Sequence, residues 1–498
     1  MMKAKIAVGQ VALWTFNLLL LCALIWNGVD LLMILIMETI VLLCSVCIQD
    51  INRRFFLFLF VMSFFIFLVS GDLASQLFGK KYWQQFTEEA NRHAHICILL
   101  SLLGLLLGYF LGGRHPYARK GISKDVCEEE MQNTEFLGRL RINRNTHECA
   151  YIDNLRQWSK WVFIVTYLFL IVNTIDKIIQ VRSNGYLSLY LGYSSLLGPL
   201  SQIGEFAPIA LCAFLATFPN KKECAFPMIA FAVYAFAGLL VGQRGTLIYN
   251  MAFLVGYLFF RNATAEKHER WIKRWWIVAF CVAAPFALAA LYLYGFIRNG
   301  QKIEFVSLSD SLVNFFVNIG SSSKVIKAGY DYSDRLTEFK FYSLGDVLNY
   351  FKYSRLFNWF GEIPAPHTKE FATQGHSFGE MISYVYMQKK YLNGEGAGSS
   401  FVACLYTDFG YIGVAAGSML YGILFKSFEN MDSKHWLSSS MKLYALTFLM
   451  KAPRGSFDCF LGGIINLFFV VVMLAIYLLG KYVRLGRPLT GRELHAGE

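Results

Sequence analysis

Long apolar runs alternate with short polar joints along most of this chain. Runs of about 15–25 apolar residues have the length a helix needs to cross a bilayer. They fall at Val11–Trp26, Leu31–Ile48, Phe55–Val69, Ile96–Leu111, Trp161–Ile179, Leu200–Phe218, Phe226–Val241, Thr246–Phe260, Trp276–Ile297, Phe401–Phe425, Leu437–Met450 and Cys459–Leu479. Together they predict about twelve transmembrane helices and an all-α polytopic membrane protein. Leu437–Met450 is the shortest of these runs. It carries Ser438, Ser439 and Ser440 in its first turn and Lys442 soon after.

The joints divide the chain. Residues 1–112 hold the first four predicted spans, 113–160 a charge-mixed loop, and 161–297 spans five to nine. A large loop follows at 298–399, and residues 400–498 hold the last three spans and a basic tail. Lys and Arg concentrate in alternate joints: Arg53 and Arg54, the 113–160 loop, Lys221 and Lys222, the cluster from Arg261 to Arg274, and the tail from Lys481 to Arg492. That bias places both termini in the cytoplasm and the 298–399 loop on the outer side of the membrane. The first run follows Lys3 and Lys5 with no small-residue cleavage site, so it is expected to be a span, not a removed signal. Within the outer loop, Leu312–Phe316 and Val347–Phe351 are amphipathic and predict helices lying along the membrane surface. Aromatic side chains on such a surface also suit a docked partner protein.

Of the 498 residues, 56% are apolar and 16% charged, which excludes a water-soluble enzyme. The net charge of +12 would point to nucleic acid on a soluble protein; here it sits in short joints and sets orientation. The 11 cysteines show no CxxC pair and no Cys/His spacing for zinc. His93 and His95 lie two apart with no third ligand, so no metal is expected. There is no P-loop or dinucleotide fingerprint, and no cofactor is expected.

The chemistry gathers on the outer side. Gln374–Gly413 is glycine-rich, carries His376, Glu380 and Glu395, and enters an apolar span that holds Asp408. Flexible backbone and ionisable groups at a membrane boundary point to a site where bilayer meets water. Arg244 sits in the tight turn Gly242–Thr246, Arg454 in the Pro-Gly turn Lys451–Asp458, and Arg298 at the end of the ninth run. Planar guanidinium forks match phosphates in bidentate fashion, and outer turns tend to avoid arginine. The alternative is an interface anchor whose head snorkels to the headgroups. Outside a cytoplasmic membrane, the diphosphate at hand is a polyprenyl-diphosphate sugar carrier. Glu395, Asp408 and His376 are the candidates for a base; Asp408 is equally suited to a structural pair with an arginine.

The turn Gly242-Gln243-Arg244-Gly245-Thr246, the large outer loop, Gly394–Ala403 and Tyr406–Val414 together resemble the Wzy-type polymerases of O-antigen and related oligosaccharide repeat units. The similarity runs from about Trp161 to Leu479, by span count and loop order. It implies a membrane-embedded, GT-C-like glycosyltransferase that joins lipid-diphosphate-linked repeat units at the outer face, with inversion and without a metal. It further implies that Arg244 and Arg454, with Arg298, hold the diphosphates, and that Glu395, Asp408 or His376 supplies the base or positions the acceptor. The partner suited to the aromatic outer surface would then be a regulator of chain length. Two other readings are an O-antigen-ligase-like transferase and a transporter or flippase of the lipid-linked precursor. A transporter fits less well, since the chain lacks half-to-half similarity and its charges lie at the outer edge.

Overall fold

The computed structural model describes residues 2–79, 86–113, 135–189, 193–265, 269–298, 307–336, 340–354, 357–359 and 361–484. Among them there is no β-strand. The first helices are α1 (Met2–Trp26), α2 (Leu31–Gln49), α3 (Ile51–Phe64), α4 (Ser70–Phe78) and α5 (Glu88–Gly112). A π-helical turn, Phe65–Val69, joins α3 to α4. The middle of the chain forms α6 (Glu135–Asn184), α7 (Phe206–Leu215), α8 (Lys221–Leu240), α9 (Arg244–Thr264) and α10 (Arg274–Arg298). Five short helices follow: α11 (Leu308–Ile319), α12 (Lys324–Asp331), α13 (Gly345–Tyr353), α14 (Lys369–Gln374) and α15 (Phe378–Leu392). The chain ends in α16 (Phe401–Phe428), α17 (Trp436–Leu449), α18 (Cys459–Ile465) and α19 (Leu467–Tyr482).

Every predicted apolar run is largely helical, but among the described residues fewer than twelve are long and apolar enough to span. Among the described residues, eight helical stretches are long and apolar enough to cross a membrane, or nine if α18 and α19, bent by 51°, count as one. The runs that fall short sit in α9, α10 and α17. Helix α9 carries Arg244, Asn250, Arg261 and Asn262, which dilute its apolar character. With 14 residues, α17 is about 21 Å long, short of the roughly 30 Å hydrocarbon layer. The boundary expected at residue 160 lies inside α6, which runs unbroken for 50 residues. Part of the 113–160 loop, residues 114–134, lies outside the described residues.

Small residues let the central helices touch. Gly104, Gly108 and Gly112 recur every fourth residue on α5 and face α16. A methyl added at Gly108 would lie 1.9 Å from the Met419 carbonyl oxygen, and one at Gly422 would lie 2.2 Å from that of Leu105. Ser101 and Ser418 hydrogen-bond across the same seam at 2.8 Å. Such stripes replace the hydrophobic drive that lipid removes. Helix α16 breaks at Gly410, whose φ of 63° and ψ of −157° an L-residue rarely adopts.

The short helices α11 to α15 gather at one end of the bundle. Two carboxylates anchor them. Asp408 on α16 accepts the backbone N–H of Tyr342 (3.0 Å) and Ser343 (2.6 Å), and Asp458 accepts those of Asp346 (3.3 Å) and Val347 (2.9 Å). The turn before α13 and its first residues are thereby fixed to the spans.

Candidate functional site

Helices α8 and α9 form a tight hairpin. Gly242 turns with φ 91°, and Gly238 packs on Thr246 so closely that a methyl there would sit 2.8 Å from Thr246 Cβ. This closeness puts Arg244 at the first position of α9. From there it reaches to α10, donating Nη1–H to the Leu291 carbonyl oxygen at 2.7 Å. Its guanidinium passes Gly295, where an added methyl would stand 3.3 Å from Nη1. The N-terminus of a 21-residue helix adds its own positive end to that charge.

The second arginine comes from a different hairpin. After α17 the chain makes a 3-10 turn, Ala452–Arg454, with Pro453 fixing its start. Arg454 lies with its Cζ 5.9 Å from the centre of the Phe67 ring, on the π-helical turn. Gly398 (φ 86°) passes beside it; a methyl there would lie 3.8 Å from Arg454 Nε. The glycine-rich stretch therefore meets this arginine side chain directly. Lys451 opens the same turn, its Nζ 5.6 Å from the Tyr249 ring centre and 5.3 Å from that of Phe448.

Arg244, Lys451 and Arg454 line one cavity of about 310 Å³. Phe67, Ile248, Leu291 and Phe315 form its apolar wall. Among the described residues no carboxylate lies within ion-pairing distance of Lys451 or Arg454. Lys324, the first residue of α12, adds to this positive field. Its ammonium is pushed below the usual lysine value by burial, then by the charges of Arg454 and Lys390, with Glu395 opposing them. Lys451 is also lowered, by desolvation within the surrounding protein. At Lys324 the neighbouring cations add to the effect of burial, so an anion there would be favoured.

The acidic candidates separate. Glu395 is exposed, close enough for its charge to act on Lys324. Asp408 is half-buried and spends both carboxylate oxygens on Tyr342 and Ser343, so its partners are backbone amides. His376 sits among the loop helices. Its backbone N–H donates to Asn349 Oδ1 at 2.8 Å, and its Nδ1 lies 2.6 Å from the Lys340 carbonyl oxygen. That carbonyl needs a proton on Nδ1, which leaves the Nε2 lone pair of a neutral ring as acceptor. Arg298 closes α10; its side chain lies outside what the structure describes.

Sequence reading passed over Lys451 and Lys324. Lys451 stood three residues before Arg454 in a turn already singled out, so the signal was present. Lys324 had none, because only folding brings α12 beside Arg454. Asp458 was also missed. It is fully buried, and burial raises its pKa to about 6, with the Asp346 charge adding to the rise and the Val347 N–H opposing it.

A model of the family O-antigen polysaccharide polymerase Wzy matches residues 10–484, nearly the whole chain. Comparison with curated proteins and with solved structures finds no match. The match over almost the full length shows that the chain belongs to the Wzy family of O-antigen polysaccharide polymerases.

Proposed function

We propose that this polymerase joins polyprenyl-diphosphate-linked oligosaccharide repeat units into O-antigen or a similar surface polysaccharide, at the periplasmic face of the inner membrane, with both termini in the cytoplasm. One observation carries the reading. Arg244, Lys451 and Arg454 come from two separate hairpins to one cavity with an apolar wall. Such a cavity suits a ligand that is anionic at one end and hydrocarbon at the other. The guanidinium forks hold the diphosphate of the donor unit, and Phe67, Ile248 and Phe315 take the first isoprenoid carbons.

In the proposed reaction a hydroxyl of the acceptor sugar loses its proton to Glu395. Its oxygen attacks the anomeric carbon of the donor, and the bond from that carbon to the diphosphate breaks. Attack opposite the leaving group inverts the configuration. The diphosphate leaves with the electron pair, and the charge it gains is met by Arg244, Lys451 and Arg454 without a metal. Glu395 is preferred because Asp408 is saturated by amides, whereas Glu395 is exposed and its charge reaches Lys324.

The test uses purified protein in detergent with a lipid-diphosphate-linked repeat unit and no membrane gradient. Mass spectrometry of the products should show lengthened chains. Arg244→Ala and Arg454→Ala should each lower chain formation by roughly 10²–10³-fold, the cost of losing one donor to developing charge. Arg454→Lys should stay low, because an ammonium lacks the fork. Absence of any glycosidic bond formation with the wild-type protein overturns the enzymatic reading, and unchanged chain length in both alanine variants overturns the role of the arginines.

A further inference from the structure

A second cavity lies directly beside the cationic one. It measures about 350 Å³, and Asn173, Lys177, Ser195, Gln202, Glu205 and Gln243 contribute to its wall. Its chemistry is the opposite of its neighbour's. The lining is amides and hydroxyls, with one ammonium and one carboxylate to balance. The wall is also held in place. Ser195 Oγ donates to Asn173 Oδ1 at 3.1 Å, while Asp176 accepts Tyr193 O–H at 2.6 Å and the Leu196 N–H at 2.9 Å. These bonds fasten the 193–205 segment to the end of α6.

The two cavities share a turn. Gln243 caps α9 and lines the polar cavity; Arg244, the next residue, lines the cationic one. Glu205 in the polar cavity acts electrostatically on Lys451 in the cationic cavity, raising it against desolvation. One peptide unit thus separates a place for negative charge from a place for neutral, hydroxyl-rich matter.

We propose that this polar cavity is a saccharide subsite, which receives hydroxyls of the acceptor repeat unit and presents them to a donor whose diphosphate lies in the cationic cavity. Amide and carboxylate groups pair with sugar hydroxyls as donors and acceptors, and a site built for such bonds rejects ligands that lack them. The assignment rests on the polymerase reading but concerns different residues.

The experiment separates the two. The full-length protein in detergent is titrated with two probes. One is the repeat-unit oligosaccharide freed of its lipid diphosphate by mild acid; the other is a polyprenyl diphosphate without sugar. Gln202→Trp fills the polar cavity from a solvent-facing position, and Glu205→Gln removes its carboxylate while keeping its shape. Both should weaken oligosaccharide binding roughly tenfold, the scale of a lost hydrogen bond to a charged group or of an occluded site. Both should leave polyprenyl-diphosphate binding unchanged, whereas Arg244→Ala and Arg454→Ala should do the reverse. In chain formation, Glu205→Gln should raise the acceptor KM more than it lowers kcat. Oligosaccharide affinity unaltered in both variants overturns the subsite. Loss of arginine dependence alone overturns the diphosphate reading and leaves the subsite standing.

Discussion

Asp408 and Asp458 reach the same short segment from different helices, and each ends on two backbone N–H groups. For Asp408 the consequence is structural. Asp408→Ala leaves the Tyr342 and Ser343 amides without partners, at roughly 1–3 kcal/mol for each buried group left unpaired. Asp408→Asn keeps an acceptor and should retain most chain formation. Limited proteolysis within 340–354 reports the difference: faster cleavage in the alanine variant, near wild-type cleavage in the asparagine variant. Equal and total loss of activity in both, with cleavage unchanged, would return Asp408 to a chemical role. Asp458 carries a pH dependence. Its folded pKa of about 6 lies above the roughly 4 of an exposed carboxylate, so the folded state binds the extra proton. Below about pH 4 the group is protonated folded or unfolded, and above about pH 6 it is charged in both. Between these limits docking of α13 weakens as pH rises, and it stays weaker above. Asp346, also raised by burial, acts in the same direction. Protection of the residue 345–353 amides, taken as exchange relative to the intrinsic rate at each pH, should be greater at pH 4.5 than at pH 7.5, and Asp458→Asn should flatten the difference.

At the scale of elements, the apolar runs were enough to locate the helices but not to count the spans. Hydropathy reads the length of a run, yet α9 carries two arginines and two asparagines and α17 is only 14 residues long, so a run alone does not decide a span there. Arg244 and Arg454 were legible because glycine and proline hold them in turns too short to let them wander. Their convergence was not, since it depends on how two hairpins pack. The seam between α5 and α16 was hidden too. Its glycines look like ordinary membrane glycines until Gly108 meets Met419 and Gly422 meets Leu105. Gly108→Ala forces a methyl to 1.9 Å from a backbone oxygen, which only a shift of a whole helix relieves. It should destabilise the fold by roughly 1–3 kcal/mol or more, the scale of overpacking. Gly113→Ala, whose nearest neighbour is the flexible Lys426 side chain at 3.3 Å, should be tolerated. Thermal unfolding in detergent, followed by size-exclusion profile, compares the two.

Across the whole molecule, charge is treated differently at the two ends. At the end away from the loop helices, Glu429 accepts from Tyr109 and from Lys426 at 2.7 Å, and Arg54 lies 3.6 Å away, so two cations share one carboxylate within the fold. At the loop end Lys451 and Arg454 face a cavity with no such carboxylate among the described residues. Besides Asp408 and Asp458, a buried contact with the first spans holds the loop helices in place. Lys327 on α12 donates to Asp72 on α4 at 2.9 Å, His95 on α5 lies 3.3 Å from the same carboxylate, and Gly71 abuts Gly320. Both ends of the Asp72–Lys327 pair are almost wholly buried, at 3% and 1% exposure. Removing one partner from such a pair strands a charge and costs about 3–5 kcal/mol, while replacing both by apolar groups is often neutral. Lys327→Met should therefore lower the melting temperature and, because Lys324 begins the same helix beside Arg454, reduce chain formation with it. Asp72→Leu combined with Lys327→Met should recover much of the melting temperature. If activity returns with it, the pair serves only to seat the loop. If stability returns and activity does not, the charges themselves contribute to the field over the cavity, and the first spans belong to the site as well as to the scaffold.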